Sequence, residues 1–184
     1  MKIVILFTGS TSTGKTTLLK ALQEYYNDTS ISVMTEVVRE LKQKKIIDKA
    51  DVGVDSYTQL IITSEAMRQY FEKLNDNNSL LISERSPIDV LAFTRHSNCS
   101  YFVKNLAQSL IHLVYNYKKT TFITFYFPPT LKFEQDDIRI EEGRDPIDKE
   151  ILSILEEFHI PYVTMIDGSV EERKQFVLRN LENL

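Results

Sequence analysis

Apolar runs of strand length alternate along this chain with longer stretches whose apolar positions recur every three or four residues. The runs at 2–8, 31–35, 80–83, 121–127 and 162–166 are rich in Ile, Val, Leu, Phe and Thr. Continuous rather than alternating hydrophobicity suits strands covered on both faces. Between and after them, 15–26, 37–46, 57–74, 102–117, 146–158 and 170–180 carry the one-sided pattern of amphipathic helices. Strands alternating with helices predict an α/β fold, a parallel sheet with right-handed crossovers and helices on both faces. The expectation is therefore a three-layer α/β/α domain with a five-stranded parallel sheet, spanning 1–184 as one unit. One long irregular stretch, at about 128–146 and reading PPTLKFEQDDIRIEEGRD over 128–145, interrupts the pattern. Loops of that length inside a compact domain are often lids.

The first strand-to-helix junction is unlike the others. Residues 9–16 read GSTSTGKT, in which five of eight residues are Ser or Thr, two are Gly and the one charge is Lys15. Such a segment has almost nothing to pack with. It matches G-x-x-x-x-G-K-[ST] and has the context that pattern requires, a buried strand before it and a helix after it. Gly9 and Gly14 permit backbone angles and close approaches that a Cβ would block, so that successive N–H groups converge on phosphate oxygens. The expected phosphate cradle is Gly9, Ser10, Thr11, Ser12, Thr13, Gly14, Lys15, Thr16 and Thr17. Lys15 supplies a cation for the β- and γ-phosphates, the helix presents its positive end, and the Thr16 hydroxyl is placed for Mg²⁺. ATP and Mg²⁺ are the cofactors this implies.

Composition narrows the partners. The 184 residues suffice for a core without disulfides, and Cys99 is the only cysteine, as expected in a reducing compartment such as the cytoplasm. A net charge of −4 without a concentrated Lys/Arg footprint argues against nucleic acid as a partner. The apolar start is too short for a signal-peptide core, and no stretch approaches the roughly 20 apolar residues of a membrane span. His96, His112 and His159 are scattered and read as packing or surface residues, and KQKK at 42–45 as a solvated helix face.

Two further strand ends bear chemistry. The second runs into MTEVVREL, putting Glu36 at the carboxyl edge of the sheet with Arg39 one helical turn on; the third runs into SERSPIDVLAF, putting Glu84 and Arg85 at the same edge. A carboxylate there can hold Mg²⁺ or its water, and a guanidinium can bind phosphate in fork geometry. For Glu36 and Glu84 the plain alternatives are a helix-starting acid and a strand-end acid paired to Arg85. In the charged stretch, Arg139 and Arg144 fit mobile arginines closing over a transferring phosphoryl group, with Gly143 as a hinge; the competing reading is neutralisation by Asp136, Asp137, Glu141 and Glu142. The helix from Tyr57 also carries Gln59, Arg68 and Tyr70. An amide and an aromatic face are what nucleobase selection needs, which Gln59 and Tyr57 could supply, although aromatics at helical spacing are as readily core.

Taken together, Gly9 to Thr16, the E-V-V at Glu36, S-Y-T-Q at Ser56 to Gln59, E-R-S at Glu84 to Ser86 and the arginines Arg139 and Arg144 resemble the ordered signatures of small P-loop nucleoside and nucleotide kinases, especially deoxynucleoside kinases. The RSPIDVLAF stretch, and the P-P followed by D-D-x-R at Asp136 to Arg139, are similar to the ATPase-like family containing bacterial nicotinamide riboside kinase domains. This resemblance implies Glu36 as the base that takes the proton of the attacking hydroxyl, and Arg85 as a phosphate and substrate contact. It implies Lys15, Glu36, Arg85, Arg139 and Arg144 in transfer, Glu36, Arg39, Tyr57, Gln59, Arg68 and Arg85 around the acceptor, and Thr16 with Glu84 at the metal. The expected function is an ATP- and Mg²⁺-dependent kinase of a nucleoside, nucleotide or nucleoside-like small molecule. A kinase of a hydroxyl on a modified DNA base, and a regulatory ATPase or switch without an acceptor, remain as alternatives. Whether the protein forms a homodimer is left open.

Overall fold

The computed structural model describes residues 1–27, 31–48, 53–133 and 141–182. Strand β1, Lys2–Thr8, is almost wholly buried and lies at the centre of the sheet. It pairs in parallel with β3, Leu80–Ser83, on one side and with β4, Thr120–Tyr126, on the other. Strand β2, Ser32–Met34, extends the sheet beyond β3, and β5, Tyr162–Thr164, extends it beyond β4. The order β2-β3-β1-β4-β5 is all parallel.

Alternate side chains of β1 anchor opposite layers, as the pleat demands. Val4 and Leu6 pack with helices α2, Val37–Gln43, α3, Ser56–Asn75, and α5, Tyr101–Tyr115. Ile5 and Phe7 pack with α1, Lys15–Tyr25, and α7, Val170–Glu182. A further apolar cluster joins α4, Pro87–Arg95, to α5 and to α6, Arg144–Glu157. The chain first winds outward from β1 toward β2, and returns past β1 to β4 only after β3. The carboxyl end of β1 is thus the switch point of the sheet, where a crevice forms in open α/β folds.

The expected three-layer α/β/α architecture and all five strands are present. Helix α4 is the addition to the expected elements. Its sequence, PIDVLAFTR, is too apolar for one-sided periodicity, because it is covered from several directions. Its start is nonetheless written locally: Ser86 and Asp89 form a capping box and Pro87 occupies the first helical position. Of the expected lid stretch, residues 134–140, including Asp136, Asp137 and Arg139, lie outside the described residues. Past them a short 3₁₀ turn, Glu141–Gly143, leads directly into α6, which begins two residues earlier than its periodicity indicated. Gly143, expected as a hinge, has φ −80, an angle any residue adopts.

Candidate active site

The glycine loop turns between β1 and α1 as its residue types require. Gly9 has φ +149, and a Cβ there would lie 2.5 Å from the Phe127 carbonyl oxygen. Gly14, at φ +88, is the N-cap of α1 and supplies no capping side chain, which leaves the positive end of the helix for an anion. The hydroxyls of Ser10 and Thr11 are buried without a hydrogen-bond partner among the described residues. Buried polar groups are ordinarily satisfied, so a loop that leaves its own unsatisfied is shaped for a ligand. Lys15 folds back over the loop, donating to Gly9 O at 2.8 Å, Ser10 O at 2.5 Å and Thr13 Oγ1 at 2.7 Å. Three oxygens around an ammonium mark where phosphate oxygens can replace them. Beside the loop is an open cavity of about 830 Å³, lined from Ser12 to Thr17 and by Lys20, Arg39, Glu84 and Lys132. That volume lies within the range of nucleotide-sized sites.

Thr16 and Glu84, the pair expected at a metal, are in contact. Thr16 Oγ1 donates to Glu84 Oε1, while Glu84 Oε2 accepts the Glu36 N–H at 3.2 Å. Hard oxygens on a hydroxyl and a carboxylate at the nucleotide cavity fit Mg²⁺, which takes one or two protein oxygens and completes its shell with phosphates and water. Among the described residues, no cluster of three or more His, Cys, Asp or Glu offers an all-protein cage instead.

Glu36 and Arg85 line a second cavity, while their chain neighbours Thr35 and Glu84 line the first. Glu36 Oε1 accepts from Arg85 Nη2 at 2.8 Å and Nε at 3.1 Å, and Oε2 accepts from Arg39 Nε at 2.9 Å. Arg85 Nη1 also donates to Gly9 O at 2.8 Å and to Asp89 Oδ1 at 3.1 Å. Burial opposes the Arg85 charge, but the carboxylates of Glu36, Asp89 and Glu84 outweigh it and raise its pKa further. Asp89 is 2 % exposed, accepts the Gly9 N–H at 3.2 Å, and holds Ser86 through its other oxygen. One carboxylate therefore ties the phosphate loop, the third strand end and α4 together.

The second cavity, about 60 Å³, lies among β2, α2, α3 and α4 and is walled by Glu36, Arg85, Asp89, Gln59, Phe93 and apolar side chains. Gln59 Nε2 donates to Thr94 Oγ1 at 2.8 Å, and Thr94 spends its own proton on Val90 O at 2.6 Å. Thr94 can only accept from Gln59, so the amide orientation is determined. Among the described residues, no other hydrogen bond to the Gln59 side-chain amide is seen.

The structure thus brings Lys15, Thr16, Glu36, Arg39, Gln59, Glu84 and Arg85 to one edge of the sheet. Arg144 reaches the loop too, donating to Ser12 O at 3.3 Å and Leu131 O at 2.7 Å. Two residues of the expected acceptor set lie elsewhere. Tyr57 is 73 % exposed in the first turn of α3 and lines neither cavity. Arg68 points outward from α3, ion-paired to Glu65 at 2.7 Å and Glu72 at 2.6 Å. Tyr70 lines the second cavity but is committed to the fold, its hydroxyl donating to Arg85 O at 2.5 Å. Sequence reasoning missed Asp89, Phe93, Thr94 and Arg173. Asp89 had a signal in the S-x-x-D box; Phe93 and Thr94 had none once α4 was unrecognised. Arg173, from α7, donates to Thr13 O at 3.1 Å, a contact visible only when the last helix is docked on the first.

A phosphate loop at the switch point of an α/β/α sheet, with an acid and an arginine at adjacent strand ends, defines a P-loop nucleotide-binding domain. The chain belongs to the AAA domain family, whose pattern matches residues 4–173. No curated protein sequence matches it at comparable stringency. Among solved structures it is similar to a NadR protein in complex with NAD and AMP-PNP, at 18 % identity and a TM-score of 0.71, over 98 % of this chain and 49 % of that one. It is similar to thymidylate kinase from Ehrlichia chaffeensis, at 18 % identity and a TM-score of 0.66, over 98 % of both chains. Deoxyadenosine kinase from M. mycoides with bound dATP aligns over 99 % of this chain and all of that one, at 15 % identity and a TM-score of 0.61. The chain spans about half the length of the NadR chains it matches. Its fold is that of P-loop nucleoside and nucleotide kinases.

Proposed function

We propose that the protein is an ATP- and Mg²⁺-dependent kinase of a nucleoside-like small molecule. One observation carries this reading: beside the nucleotide-sized cavity on the phosphate loop, which Arg39 and Glu84 line, there is a separate cavity lined by the paired Glu36 and Arg85 with a polar amide in its wall. A switch that only hydrolyses ATP needs the first cavity and has no use for the second.

Lys15 exchanges its loop oxygens for the β- and γ-phosphates, while the uncapped start of α1 and the loop N–H groups hold the rest of the chain of phosphates. Thr16 and Glu84 would hold a Mg²⁺ ion, which would supply charge compensation on the phosphate oxygens when bound. Glu36 accepts the acceptor's hydroxyl proton, and Arg85 meets the charge of the moving phosphoryl group. Arg144, which reaches the phosphate loop at Ser12 O, meets the charge of the nucleotide phosphates there. The acceptor cavity is small as it stands, about 60 Å³, so acceptor binding entails a widening of its wall.

The test pairs an acceptor screen with Glu36→Gln. Some nucleoside or nucleotide should stimulate ADP formation by the wild type and appear as a phosphorylated product. Glu36→Gln should then lower single-turnover transfer to a hydroxyl by roughly 10² to 10⁴ while nucleotide affinity barely changes. Should no acceptor stimulate turnover and Glu36→Gln hydrolyse ATP normally, the regulatory ATPase takes the place of the kinase.

A further inference from the structure

Two complementary groups stand unmatched near the start of α6. Asp148 is 8 % exposed, and its Oδ2 accepts from the Tyr126 hydroxyl at 2.8 Å. Its Oδ1 is buried with no hydrogen-bond partner among the described residues. Arg144 stands four residues earlier, one turn away on the same face of the helix. It donates through Nη2 to Ser12 O and Leu131 O, while its Nε is likewise buried with no partner among the described residues. Buried polar groups are ordinarily satisfied, and a guanidinium N–H facing a carboxylate oxygen makes one of the stronger hydrogen bonds in proteins. An unmatched donor and an unmatched acceptor at this spacing mark a contact that a second arrangement of Arg144 completes.

Tyr126 alone does not account for a carboxylate at 148. A neutral amide would accept its proton too, without the cost of burying a charge. Burial pushes the Asp148 carboxyl above its ordinary value, opposed by the Tyr126 hydroxyl and by the charges of Lys15 and Arg144. Lys15 already donates to Gly9 O, Ser10 O and Thr13 Oγ1, so of the two cations Arg144 is the one with a buried N–H unspent. Position agrees with this. Tyr126 ends β4 and pairs with Thr8, the last residue before the phosphate loop, so Asp148 is anchored to the sheet beside that loop.

We infer that Asp148 is a positioning residue: when nucleotide phosphates draw the Arg144 Nη groups from the loop carbonyls, Asp148 Oδ1 accepts the Arg144 Nε–H and holds the guanidinium fork toward the phosphates. This deepens the kinase reading and rests on its nucleotide site. A carboxylate near a polyphosphate would by its charge alone weaken nucleotide binding, so removing that charge would tighten it. Holding Arg144 has the opposite sign.

The experiment is titration calorimetry with AMP-PNP and Mg²⁺ on the wild type, Asp148→Asn, Arg144→Ala and the double variant. Asn keeps an oxygen for the Tyr126 hydroxyl and puts a donor where Oδ1 was, so the fold is retained, as circular dichroism checks, while the contact with Nε is lost. Asp148→Asn should raise the Kd about tenfold when Arg144 is present and by less than about twofold when it is Ala, because the two side chains act as a unit. On the unaltered chain, AMP-PNP should slow the solvent exchange of the Arg144 Nε–H in ¹⁵N NMR, a signal identified by its loss in Arg144→Ala. This second measurement decides the matter if Asp148→Asn does not fold. An unchanged or tighter Kd for Asp148→Asn, an equal loss in both backgrounds, or an Nε–H that exchanges as fast with AMP-PNP as without would each overturn the inference and leave the kinase reading standing. If AMP-PNP does not bind the wild type, the nucleotide site and this inference fall together.

Discussion

Thr94 shows how much a single hydroxyl determines. It accepts from Gln59 and donates to Val90 O, so the Gln59 amide has one permitted orientation. Thr94→Val keeps the shape and deletes the acceptor, freeing the amide to flip. The KM for the acceptor should rise several-fold with kcat nearly unchanged, and Thr94→Ser should restore it. Steady-state kinetics of the three proteins checks this, and a fall in kcat at constant KM would place Thr94's influence elsewhere. Lys15 is the complementary case on the nucleotide side, a side chain whose three oxygen partners can be exchanged for phosphates. Lys15→Ala should remain folded by circular dichroism and lose nearly all transfer. AMP-PNP at about 100-fold its wild-type Kd should stabilise the wild type by ~2.7 kcal/mol and the variant by far less, a contrast that thermal denaturation reads directly.

At the scale of elements, α3 and α4 divide the work. Helix α4 begins where Ser86 Oγ accepts from the Ile88 and Asp89 N–H groups and donates to Asp89. Removing such a cap costs about 1 kcal/mol, and Asp89 also supports Arg85 and Gly9. Ser86→Ala should therefore lower stability by at least that much in urea denaturation and reduce turnover through Arg85. Helix α3 turns Gln59 inward and Arg68 outward. Arg68, joined by Gln69, holds the Glu65 carboxyl down from 4.5 to about 2 against the effect of partial burial. A depressed acid contributes stability that is present above its unfolded pKa and is lost as pH falls, here from about 4.5 toward 2. Arg68→Ala should return Glu65 toward the ordinary range in an NMR titration and flatten that part of the pH–stability curve. Because Arg68 lines neither cavity, kcat and KM should not change.

Across the whole molecule, residues far apart in the chain converge on the phosphate loop. Arg144 from α6 holds Ser12 O, Arg173 from α7 holds Thr13 O, and Arg85 and Asp89 hold the two sides of Gly9. The loop is pinned through its backbone, whereas its hydroxyls at Ser10 and Thr11 have no hydrogen-bond partner among the described residues. Order is thus supplied by the surrounding layers, and the groups facing the ligand are spared from making it. Arg95 of α4 adds a tie to Glu150 and Glu157 of α6, so the helix that walls the second cavity is joined to the helix that follows the charged stretch.

The sequence by itself determined the strands and the phosphate loop, because both are governed by local rules: apolar runs must be covered on both faces, and GSTSTGKT between strand and helix has few other uses. It also determined that Glu36, Arg39, Glu84 and Arg85 meet, since strand ends of a parallel sheet share one edge. Helix α4 was obscured because burial from several sides erased its periodicity, although its capping box was written in the sequence. Which face of α3 looks inward was decided only by packing, and that placed Gln59 in the wall, Tyr70 in the core, and Tyr57 and Arg68 outside. The ties of Arg144 and Arg173 to the loop belong to the tertiary structure alone. They depend on which side chains from distant elements end within hydrogen-bond reach, and no spacing along the chain encodes that.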